Sequence, residues 1–76
     1  MATILKDFYM QKDGITLEHV SLYKDGDEVG IKLKTDGVVF TGKYSLSYYK
    51  ENLRSFKVIA KSIGAEIIEN EEAYDV

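Results

Sequence analysis

The sequence predicts an α+β fold: a four-stranded antiparallel meander followed by one α-helix packed on one face, with room for a short fifth strand. Three observations carry this reading. Asp13-Gly14, Asp25-Gly26 and Asp36-Gly37 punctuate segments rich in β-branched, aromatic and aliphatic residues, and Asp-Gly suits turns whose central residues need positive φ. After Tyr44 the apolar residues change to a helical period. Gly64 then stands where a helix would end in the left-handed region.

The turns set four strands near residues 3–11, 15–23, 29–36 and 38–45. A two-residue turn at Asp36-Gly37 places Thr35 opposite Val38, Leu33 opposite Phe40, Ile31 opposite Gly42 and Val29 opposite Tyr44, with Lys32, Lys34 and Lys43 on the other face. The same logic at Asp13-Gly14 puts Met10 opposite Leu17, Phe8 opposite His19 and Ile4 opposite Tyr23. It leaves Leu5 beside Leu22, and Tyr9 near Val20, on the reverse side. A bulge near Glu18 to Val20 would instead turn Val20 and Leu22 inward.

At about 100° per residue, Tyr49, Asn52, Leu53, Phe56, Ile59, Ala60 and Ile63 share one arc of about 120°. The spacing predicts a helix over 47–63, capped by Ser45 or Ser47 and packed through Leu53, Phe56, Ile59 and Ile63 onto Leu33 and Phe40. Tyr44 and Tyr49 then face the core, and Tyr48 is left half exposed. Glu66 to Glu69 reads as a strand able to add to the first. Residues 1–69 form one compact domain, and 70–76 an acidic C-terminal tail.

A chain of 76 residues buries only about 60–65% of its extended surface, which leaves little for an elaborate cleft. It has no cysteine and no proline, so disulfides and thiolate metal sites are excluded and a linker composition is disfavoured. Lys6 and Asp7 interrupt what would be the apolar core of a signal peptide, and no run is long enough to span a membrane. The expectation is a soluble, cytoplasmic protein. The net charge of −3 is uneven: every basic residue lies before residue 66, whereas 66–76 holds five acids and no base.

Catalysis finds little material. His19 is the only histidine, and Ser45, Ser47 and Ser55 have no base beside them in the pattern. Asp25, Asp27 and Glu28 lack the remaining ligands of a calcium loop, and no glycine-rich phosphate loop occurs. The reading is not an enzyme, with no cofactor and no metal.

Two surfaces remain as candidates. The face opposite the helix collects Leu5, Tyr9, Val20, Leu22 and Val39 with Lys32 and Lys34 at its edge, an apolar centre with a charged rim suited to a protein partner or a second copy of the chain. The helix carries Lys50, Arg54, Lys57 and Lys61 at spacings that make one stripe. With Tyr48 to stack on a base, the stripe suits a small anionic ligand or nucleotide. The first reading gives a small binding or inhibitor-type accessory protein, of the kind phages and mobile elements carry, acting by protein–protein contact as a homodimer or on another protein. The second gives an oligomeric ligand binder. A third is mimicry of nucleic acid by the acidic tail. Binding of nucleic acid itself is disfavoured by the overall charge.

Overall fold

The computed structural model describes residues 3–70. Among them the order is β1 (Thr3–Lys12), β2 (Ile15–Asp25), β3 (Glu28–Thr35), β4 (Val38–Ser45), a 3₁₀ turn (Leu46–Tyr48), α1 (Tyr49–Ile63) and β5 (Glu66–Glu69). The strands form one antiparallel sheet in the order β4-β3-β2-β1-β5, with the helix on one face. The meander, the single helix and the fifth strand beside the first are as the sequence predicts. No described helix is long and apolar enough to cross a membrane.

Turn chemistry explains the hairpins. Asp13 and Gly14, and again Asp36 and Gly37, all take positive φ, as a type I′ turn requires at both central residues. The middle hairpin differs. Asp25 pairs with Glu28, so Gly26 and Asp27 are the central residues and only Gly26 has positive φ, the pattern of a type II′ turn.

The β3–β4 register is the predicted one, from Thr35 opposite Val38 to Val29 opposite Tyr44. In β1–β2 the expected register holds only at the ends, at Lys12 opposite Ile15 and Ile4 opposite Tyr23. Leu17 is an extra residue on β2, after which Met10 faces Glu18, Phe8 faces Val20 and Lys6 faces Leu22. Leu5 is the compensating extra residue on β1. A one-residue slip exchanges the faces, so between the two irregularities Val20 and Leu22 turn toward the helix and His19 and Ser21 turn away.

Phe8, Met10, Val20, Leu22, Val29, Phe56 and Ala60 are buried together. Phe8 and Phe56 meet edge to face, with centroids 5.4 Å apart, a favoured aromatic geometry. Leu5, Leu33, Tyr44, Tyr49, Leu53 and Ile67 are half-buried around them.

Helix α1 starts at Tyr49 rather than 47, because Ser45 accepts from the Ser47 amide and caps the 3₁₀ turn instead. It ends at Gly64, where the Ala65 amide bonds the Ala60 carbonyl at 2.8 Å, satisfying a carbonyl the helix leaves open. Its first turns are tied to β4 by a 2.9 Å bond from the Tyr44 hydroxyl to Asn52, and its end reaches Lys12 of β1. The helix therefore crosses the sheet obliquely and leaves the β3–β4 corner uncovered. The expected packing of Ile59 and Ile63 on Phe40 is not formed: Phe40 is 55% exposed, Ile59 49% and Ile63 42%.

Asn70 belongs with the sheet and not with the tail, since its amide bonds the Asp7 carbonyl at 2.8 Å. The rest of the predicted tail, 71–76, lies outside the described residues, as does any contact between it and the helix.

Candidate functional site

The structure redraws the predicted partner-binding face. Tyr9, Lys32, Lys34 and Val39 do lie opposite the helix. Val20 and Leu22 do not: both are fully buried under the helix, because the extra residue at Leu17 reverses their direction. Leu5 is half-buried against the same core. The apolar centre expected on this face is absent, and a polar lattice occupies its place.

That lattice has two rows across four strands. One runs Tyr9, His19, Lys34, Val39 and the other Asp7, Ser21, Lys32, Thr41, each residue the direct cross-strand partner of the next. Asp7 is only 6% exposed, and its carboxylate accepts from His19 Nε2 at 2.6 Å, Ser21 Oγ at 2.7 Å and Asn70 Nδ2 at 2.9 Å. Several donors on a buried carboxylate offset its desolvation. Tyr9 stacks on His19 with centroids 4.4 Å apart. Ser21 and His19 both turn to Asp7 rather than to each other, so the trio forms a clasp and not the serine–imidazole pair that nucleophilic attack requires. Beside it, His19, Ser21, Lys32, Lys34 and Val39 line an open cavity of about 250 Å³. Among the described residues no three histidine or carboxylate side chains converge as metal ligands.

Lys43, on the same face, donates to Asp25 at 3.1 Å. That bond holds its ammonium above the ordinary lysine range, and the charges of Asp25 and then Glu28 add to it.

The predicted ligand site on the helix is divided. Lys50, Arg54, Lys57 and Lys61 are all exposed, and they lie on the flank toward β1 and β5, where Lys57 neighbours Lys6, Ile67 and Glu69. Tyr48 is 58% exposed on the opposite flank, grouped with Tyr44, Glu51, Asn52 and Ser55. The tyrosine and the cations do not form one site.

Of the apolar residues exposed on the β4 edge, only Val39 was among the predicted partner-binding residues. Val38 and Phe40 on the helix side of β4, and Val39 on the other, are each about half exposed. The Ile59 and Ile63 flank of the helix faces the same uncovered corner. β4 ends the sheet, and of its eight residues Lys43 alone is charged. The signal was present in the run Val38-Val39-Phe40 together with the placement of the fifth strand on β1, which makes β4 an edge.

No protein-family model, no curated protein and no solved structure matches this chain.

Proposed function

We propose that the protein is a non-enzymatic binding protein that acts through protein–protein contact, and that it docks by the β4 edge and the apolar corner beside it. One observation carries this reading: an eight-residue edge strand exposes Val38, Val39 and Phe40 with a single charge among its residues. Edge strands of stable monomers are commonly blunted by charges, proline, bulges or shortness, and β4 pairs with β3 without a register shift. An extended segment added there would gain ladder hydrogen bonds and cover the valines and Phe40 at once.

The experiment compares Phe40→Asp with Arg54→Glu, both at exposed positions. Any protein the native chain binds should be lost on Phe40→Asp and kept on Arg54→Glu. The reverse pattern would move the function to the basic helix stripe.

A second reading, a small anionic ligand, is favoured by one feature. Lys32 and Lys34 line the cavity with His19 and Ser21, and neither joins an ion pair among the described residues. Titration with inorganic phosphate that shifts the Lys32 and Lys34 resonances and leaves those of Lys50, Arg54, Lys57 and Lys61 on the helix in place would support it.

A further inference from the structure

We propose that the occupant of the β4 edge is a second copy of this chain, paired antiparallel about a two-fold axis at Thr41 so that two sheets join into one. The inference rests on the docking reading above and identifies its partner.

The direction of the backbone groups comes first. Asp36 and Gly37 form a two-residue turn, so Thr35 and Val38 exchange both ladder bonds across it. Bonded and non-bonded pairs then alternate along an antiparallel hairpin. Val38, Phe40, Gly42 and Tyr44 therefore bond inward to β3, and Val39, Thr41 and Lys43 aim their N–H and C=O groups outward. A second strand in register with these groups must place odd-numbered residues opposite odd-numbered ones.

Centring on Thr41 meets that condition and pairs β4 from Val38 to Tyr44. Thr41 faces Thr41 of the second copy, Val39 faces its Lys43, and Phe40 faces its Gly42. No like charges oppose one another, because Lys43 is the only charge in the strand. Phe40 and Gly42 share the helix side of the sheet, so each Phe40 ring lies beside a backbone position that carries no side chain. The chain already uses such a pair internally: Tyr23 covers Gly30, its cross-strand partner in β2–β3.

The contrast between the two edges points to closure. β5 has four residues with a glutamate at each end, and Glu69 is paired with Lys6, so that edge is short and charged. β4 against β5 of another copy would be a head-to-tail contact that leaves a free edge on every copy added unless a ring closes, whereas β4 against β4 is self-complementary and closes as a dimer.

The test uses the full chain in sedimentation equilibrium and exploits its lack of cysteine. Wild type should form a dimer. Thr41→Pro, which removes an outward N–H and leaves the bonds to β3 in place, should weaken dimerisation by about tenfold or more while the circular dichroism stays native. Under mild oxidation Thr41→Cys should cross-link to itself, Val39→Cys and Lys43→Cys should each fail alone, and a mixture of those two should cross-link. The cysteine variants decide the register even if Thr41→Pro unfolds. A monomer at all concentrations overturns the second copy and leaves Phe40-dependent docking on a different protein standing. A dimer whose cross-links do not centre on Thr41 overturns the proposed pairing.

Discussion

The ring of Tyr23 occupies the space that a side chain on Gly30 would fill, and the two residues face each other directly across β2 and β3. An added methyl must displace the ring. Overpacking of this kind costs about 1–3 kcal/mol, offset by about 0.5–1 kcal/mol from the lost backbone freedom of glycine. Gly30→Ala should therefore destabilise by about 1 kcal/mol in denaturant melts. In a Tyr23→Ala background the same change should be neutral or stabilising. An equal penalty in both backgrounds would show that the ring is not the cause.

Leu22 is fully buried, so Leu22→Asp places an unpaired charge in the core and should unfold the protein, at a cost above about 4 kcal/mol. Phe56→Ala removes the ring that meets Phe8 and should cost about 3–5 kcal/mol while the chain still folds. A folded Leu22→Asp variant, seen as a dispersed amide spectrum, would place Leu22 on the surface after all.

Leu22 also shows where sequence reasoning reached its limit. Turn chemistry at Asp36-Gly37 and helical spacing from Tyr49 to Ile63 are local, and both were legible. The direction of Val20 and Leu22 was set by the two irregularities at Leu17 and Leu5, and neither residue type signals a bulge. Alternation alone left Val20 and Leu22 on the opposite parity to Ile15 and Leu17; the pull of a shared core with Phe8 and Met10 decided the matter. Phe40 failed for a different reason. Its parity was read correctly, but the oblique path of the helix, which decides whether an inward residue is covered, depends on the Tyr44–Asn52 bond and on where β5 must begin. The Asp7 clasp joins residues from two strands, β1 and β2, with Asn70, and no spacing in the chain announces it.

That clasp should govern how firmly the last strand is held. Asn70 donates its side-chain amide to the Asp7 carboxylate, and its backbone amide to the Asp7 carbonyl. Asn70→Ala removes the first bond and keeps the second, at a cost of about 1 kcal/mol. Asp7→Ala strands the donors of His19, Ser21 and Asn70 and should cost about 2–4 kcal/mol. In hydrogen exchange, Asn70→Ala should accelerate the amides of β5 selectively. Uniform acceleration across the sheet would mean that β5 does not open separately.

Alkaline pH should weaken the join between β4 and the helix through Tyr44. Burial raises its phenol above the usual tyrosine value of 10.0, and neighbouring Tyr49 adds to the shift. The neutral hydroxyl donates to Asn52 at 2.9 Å, a bond that ionisation removes. Because the folded state holds this proton more tightly than the unfolded chain, the stabilisation is fully present below pH 10.0 and declines as the pH rises through the folded-state value. Lys43, raised by its bond to Asp25, follows the same sign at the alkaline end, but its exposure makes its share small. Tyr44→Phe should flatten the fall in stability above pH 10.0. An unchanged alkaline slope in Tyr44→Phe would show that the phenol does not control the stability of the join between β4 and the helix.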